Sequence, residues 1–229
     1  MDVVYPYKRT AGDFELRYSL RSLANMPHGK VIISGDAPRF AVSDGVIIHR
    51  VPRIWDRYQS STQNIYQAAK QHVSTSEVIV MNDDFFMTRP WVFKHEHRGT
   101  IDEHLASGKA KGEYRRHIEF TRDILRAHGV FDPLFFGLHM PTVYARDNLI
   151  RLIDDFRGKR YLLRTIYHNL FPQPATRRDD VKERAWQGEP SGDVLSISDG
   201  VARHPDFLKW IEARFPCPSP YEAKSAALA

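Results

Sequence analysis

Four short apolar runs constrain this chain more than any other feature. "DVVYPY" (Asp2 to Tyr7), "KVIISGD" (Lys30 to Asp36), "GVIIHRVP" (Gly45 to Pro52) and "EVIVMNDDFF" (Glu77 to Phe86) have the length and β-branched content of strands. Segments of helical period separate the first from the second and the third from the fourth. "FELRYSLRSLANM" sets Leu16, Leu20 and Leu23 on one face, with Asp13 as N-cap after a turn at "TAGD". "SSTQNIYQAAKQHV" predicts a second helix capped by Ser60, Ser61 or Thr62. Strands alternating with helices predict an α/β fold, a mainly parallel sheet flanked by helices.

Past the fourth run the pattern loosens. Residues Thr88 to Val130 are polar and charged, and read as an excursion over the active face followed by a helix around Arg116 to His128. "PLFFGLHMPTVY" returns to a strand-like pattern, and "ARDNLIRLIDDF" and "RYLLRTIYHNLF" predict two more helices. From Pro172 onward prolines, charges and turns dominate, with one strand candidate, "DVLSIS", and a frayed end, "AKSAALA". No repeat or linker divides the chain. A single domain is expected, with a core over residues 1–171 and an extension over 172–229 packed on it.

The sole cysteine, Cys217, excludes an internal disulfide and a cysteine-built metal site. No window approaches a membrane span and the start lacks a signal-peptide pattern, so a cytoplasmic protein is expected. A formal charge of +5 favours an anionic partner, although the 33 basic residues are spread along the chain. No phosphate loop, GxGxxG or GxSxG occurs, which argues against P-loop NTPases, typical Rossmann dehydrogenases and α/β-hydrolases.

What the chain does offer is "NDD". In an open α/β sheet, ligands bind beyond the carboxyl ends of the strands, where Asn82, Asp83 and Asp84 fall. Adjacent carboxylates repel and are costly to desolvate. A hard cation, Mn²⁺ or Mg²⁺, held by Asp83 and Asp84 and bridging to phosphates explains them; a turn or cap made by residues that favour turns is the alternative. His139, before Pro141, is a candidate base or ligand, or else a satisfied core histidine. Arg17 and Arg21, four apart on the first helix, suit an anion clamp or an exposed face paired with Glu15 or Asp13; Arg164 and His168 repeat the spacing.

Taken together, "DVVYPY", "ELRYSLRSL", "VIVMNDDFF" and "HMPTVYARDNL" occur in an order that resembles the Stealth family of sugar-phosphate transferases. The resemblance runs from Asp2 to about Asn169. It implies a GT-A-like, Rossmann-type sheet whose Asp motif holds a divalent metal against a donor pyrophosphate. It also implies that Asp2 and Tyr5 lie at the nucleotide end of the first strand, that Arg17, Arg21 and Arg164 meet phosphates, and that Asn82 and Asp83 face the donor. Asp83 and Asp84 would hold the metal, with Asp84 and His139 as the catalytic pair. The chain departs from the family in its short first motif and its length. The expected activity is therefore glycosyl transfer from a nucleotide sugar, a UDP-sugar first, to a hydroxyl of a protein, glycan or hydroxymethylated DNA. Hexose-1-phosphate transfer is the alternative. A non-catalytic nucleic-acid-binding module is a further one, with "GKAKGEYRRH" and "RRDDVKERAW" on phosphates, and a metal-dependent phosphohydrolase or nuclease would need further acids, of which Asp36 is the obvious candidate.

Overall fold

The computed structural model describes residues 1–10, 13–40 and 42–223. In chain order its elements are β1 (Asp2–Tyr7), α1 (Phe14–Ser22), β2 (Val31–Gly35), β3 (Val46–Arg50), α2 (Arg57–Gln71), β4 (Glu77–Val80), β5 (Phe85–Met87), β6 (Glu96–His97), α3 (Ile101–Ala106), α4 (Gly112–Ala127), β7 (Thr142–Ala145), α5 (Arg146–Asp155), α6 (Leu163–Leu170), β8 (Thr176–Arg177), β9 (Lys182–Glu183), β10 (Val194–Ile197) and α7 (Pro205–Arg214).

The apolar runs pair because both of their faces find cover. The main sheet has the order β3-β2-β1-β4-β7, parallel except for β7, which runs against β4. In register, Val4 stands beside Ile32 and Val80, and Val3 beside Val31 and Ile79. The first set packs with Ile65, Ala68 and Ala69 of α2 and Leu149 and Leu152 of α5. The second packs against Leu16, Leu20 and Leu23, from α1 and the turn after it. The sheet is thus helix-covered on both faces, as strands apolar at every position require.

Topology then fixes where a ligand can go. The chain builds outward from β1 to β2 and β3 on one side, then returns to place β4 on the other. The carboxyl ends of β1 and β4 therefore open into a crevice, the switch point of an open parallel sheet.

"FFM" leaves the main sheet. β5 forms a small sheet of order β5-β10-β9, antiparallel to β10. Its alternation places Phe85 and Met87 in the main core and Phe86 against Phe207 and Ile211 of α7. Residues beyond 172 thus supply strands to this small sheet.

Several predicted elements shift. The fourth strand ends at Val80, not Phe86. Asp56 caps α2 with bonds to Tyr58 and Gln59 nitrogens, so that helix starts before Ser60. Asp13 sits at the N-cap position of α1, but its buried carboxylate accepts from the Tyr7 hydroxyl and the Arg39 amide instead. Of "PLFFGLHMPTVY", only the last three residues enter a strand. The excursion holds a helix, α3, opened by a Thr100/Glu103 capping box. "HEH" contributes β6, paired with β8. The predicted turn through 11–12 and the frayed tail from 224 lie outside the described residues. Among the described residues, no helix is long and apolar enough to cross a membrane.

Candidate active site

Asn82, Asp83 and Asp84 form the turn from β4 to β5, closed by the Phe85 amide donating to the Asn82 carbonyl at 3.3 Å. The turn reading of "NDD" therefore holds, and the acids remain to be accounted for. Ser19 braces the exit of the turn: its hydroxyl donates to the Phe85 carbonyl at 2.6 Å and meets the Tyr5 hydroxyl at 3.0 Å.

Asp83, Asp84 and Glu15 act on one another through their charges, but among the described residues they do not bring three carboxylate oxygens within 4.8 Å of one another. Burial, then the charges of Asp84 and Glu15, pushes the Asp83 carboxyl up to about 7. Burial, then Asp84 and Asp199, pushes Glu15 up to about 7 as well. Asp84 has compensation, since Lys182 Nζ and Ser196 Oγ each donate to its Oδ2 at 2.7 Å. Both bonds fall on one oxygen, leaving Oδ1 for another partner. Two adjacent carboxylates, one of them raised by burial and its acidic neighbours, have the donor chemistry of a hard divalent cation, which takes one or two carboxylates and keeps several waters. Glu15 also lines a hollow of about 520 Å³ with Thr10, Asp199 and Arg203.

On the other side of the turn lies a cleft of about 420 Å³, lined by Asn82, His139, Tyr58, Tyr114 and Arg164 among others. His139 is half-buried. Its Nδ1 lies 2.9 Å from both oxygens of Asp180, and its amide donates to Asp180 Oδ1 at 3.1 Å. A carboxylate facing Nδ1 assigns the proton there, which leaves the Nε2 lone pair for the cleft. Burial alone would raise the Asp180 carboxyl. The bonds from His139 and the charges of His139 and Arg98 outweigh it and hold that carboxyl at about 2. Asp180 is therefore ionised at neutral pH. His139 is an oriented imidazole, not a core residue.

Arg164 has a different task from the one expected. Its guanidinium donates to the carbonyls of Leu138 and Met140, the latter at 2.6 Å. The fork clamps the backbone on both sides of His139 and so sets where the imidazole stands. Two of its five donors are thus given to backbone, and the guanidinium also lines the cleft.

Four further expectations are corrected by position. Asp2 lies at the amino end of β1, opposite the crevice, where it accepts from the Lys30 amide at 3.0 Å and the Ser74 amide at 2.8 Å. Tyr5 is 1% exposed and belongs to the core, bracing the turn only through Ser19. Arg21 makes a two-pronged pair with Glu222 at 2.7 and 2.9 Å and donates to the Phe215 carbonyl at 3.0 Å. Arg17 stands 3.7 Å from Glu222 and over the Phe40 ring. Both arginines thus fasten the C-terminal segment and pair with neither Glu15 nor Asp13. Removing one member of a buried pair strands the other. Arg21→Ala should therefore cost about 3 kcal/mol or more locally, read as faster proteolysis between residues 215 and 223; unchanged cleavage would show that the pair does not hold the segment.

Sequence reasoning missed Asp180, Glu15, Lys182 and Ser196 as neighbours of the site. Asp180 and Lys182 lie in "RRDDVKERAW", whose basic appearance suggested a phosphate-binding patch. That patch is largely self-neutralised: Arg177 pairs with Glu103, Arg178 with Glu96 and Asp193, and Lys182 with Asp84. In the other basic segment Arg115 pairs with Glu119. Asp36 likewise accepts from the Arg9 amide and Arg53, so it joins no acid cluster at the turn. No protein-family model matches this chain, and a comparison with curated proteins returned no match.

Proposed function

We propose that this chain is a metal-dependent nucleotide-sugar transferase with a GT-A-like organisation, moving a sugar from its donor to an acceptor hydroxyl. One observation carries the reading. An imidazole oriented by a half-buried carboxylate lines the cleft beside a turn at the sheet's switch point that itself carries two adjacent acids, Asp83 raised and Asp84 bonded to Lys182. The β3-β2-β1-β4 order and an Asp motif at the end of β4 support the fold assignment.

In this reading the donor lies over Asp83 and Asp84, toward the hollow of Glu15 and Arg203, and the acceptor enters the cleft of His139. A divalent cation on Asp83 and Asp84 would neutralise the donor pyrophosphate and the charge developing on the leaving nucleotide. His139 Nε2 accepts the proton of the attacking hydroxyl, and Asp180 stabilises the imidazolium that forms, the division of labour of other acid-imidazole pairs. Arg164 holds the loop so that the base meets the hydroxyl at reacting distance, where misplacement is expensive.

The same parts serve a second reaction. Attack at the anomeric carbon expels a nucleoside diphosphate, whereas attack at the β-phosphorus expels a monophosphate. The order of sequence motifs, which resembles sugar-phosphate transferases, favours the latter. Purified protein with Mn²⁺ or Mg²⁺ and a panel of nucleotide sugars should release one of the two nucleotides, read by mass spectrometry. No release from any donor, together with no donor binding by calorimetry, would overturn both readings. The pairing of Arg177, Arg178 and Lys182 with acids weakens the part of the nucleic-acid-binding alternative that rests on "RRDDVKERAW".

A further inference from the structure

A second constellation stands at the lip of the cleft. Asp56, Glu113 and His117 each bring a ligand atom within 4.8 Å of the others. Asp56 caps α2, and Glu113 and His117 lie four apart on α4, the spacing that stacks two side chains on one helix face. Their chain neighbours Arg57, Tyr58 and Tyr114 line the cleft.

His117 decides how the cluster is read. It is 0% exposed, and its Nδ1 lies 3.0 Å from the Glu113 carbonyl oxygen. A carbonyl only accepts, so Nδ1 carries the proton and Nε2 presents a lone pair. Nε2 stands 3.2 Å from Asp56 Oδ2. Two acceptors face each other across this gap, and a positive charge must lie between them. A proton would serve Asp56 alone. With Glu113 adjacent there are two carboxylates to one imidazole, and the nearest cation to Asp56, Arg160, stands 4.0 Å off.

A divalent ion answers both demands. Ligands about 2.0 to 2.1 Å from a tetrahedral zinc stand about 3.3 Å apart, close to the His117 to Asp56 separation. The backbone carbonyl on Nδ1 is the outer-shell partner that metal-bound histidines usually have. The other oxygen of Asp56 is fixed by the amides of Tyr58 and Gln59 at 2.9 and 3.2 Å, so the ligand is already aimed. Glu113 is exposed and supplies the third ligand from solvent, leaving a fourth position for water. One nitrogen with two carboxylate oxygens suits zinc better than a hard cation.

We propose that Asp56, Glu113 and His117 form a zinc-type cation site, distinct from Asp83 and Asp84, that ties the start of α2 to α4 in the cleft wall. The proposal does not depend on the transfer reaction. Its test uses the full chain stripped with EDTA, carrying Asp84→Asn to weaken the other acids. Calorimetry with Zn²⁺ should show one equivalent bound, and Co²⁺ should give the visible absorption of a four-coordinate site. Glu113 is exposed, so Glu113→Gln keeps the fold, and it should weaken Zn²⁺ by more than the ~10-fold that loss of an outer-shell partner costs. No uptake, uptake abolished by Asp84→Asn alone, or uptake indifferent to Glu113→Gln would each overturn the site.

Discussion

His139→Gln should lower donor turnover by about 10²- to 10⁴-fold, the usual contribution of a positioned base, while leaving donor affinity unchanged. Glutamine keeps a polar group of similar reach but cannot hold a proton. Asp180→Asn should also slow the reaction, because the imidazolium loses the carboxylate 2.9 Å from its Nδ1. Asp180 is held ionised down to about 2, so it stays negative across the working range and faces the imidazolium as it forms. Its loss should lower turnover while leaving donor affinity unchanged, a split that a merely structural partner would not produce. Turnover undiminished in His139→Gln would remove the base assignment. Reduced donor affinity with unchanged turnover would make His139 a binding residue.

The strands were legible because their cause is local. A run such as Val78 to Met81 is apolar at every position, and only a sheet covered on both faces accommodates that. Caps were less legible. Ser60, Ser61 and Thr62 look like caps, yet Asp56 captures two amides and starts α2 earlier. The box at Thr100 and Glu103 was readable in "TIDE", but the short helix behind it offers few large apolar residues. Partnerships across the chain left no local mark. Asp180 reaches His139 over 41 positions, and Glu222 reaches Arg21 over 201. The arginines of α1 have the spacing of an anion clamp whether the anion is a phosphate or the chain's own glutamate. Only the fold distinguishes them, and it supplies the glutamate.

The acids at the turn make the opposite kind of prediction, one in which removing a charge stabilises the protein. Asp83 and Glu15 each rise to about 7, Asp83 from an ordinary value of 3.8. A raised carboxyl binds its proton more tightly in the folded state than in the unfolded one. The stability this contributes is complete below about pH 4 and is lost as pH rises toward about 7. A shift of three units corresponds to roughly 4 kcal/mol for an isolated group, a ceiling here because the acids share their repulsion. In EDTA the melting temperature should therefore fall between pH 5 and pH 8, and Asp83→Asn should raise it at pH 8. Mn²⁺ should recover the loss at pH 8, do little at pH 5, and do nothing in Asp83→Asn. Asp84→Ala should abolish metal-supported donor binding, since it removes the acid next to Asp83 and leaves Lys182 without its partner. A melting temperature that is flat with pH in EDTA, or a Mn²⁺ effect that survives Asp83→Asn, would mean that Lys182 and solvent already satisfy the pair. In the proposed reading, a cation arriving with its substrate would relieve the repulsion that adds to burial in raising both carboxyls.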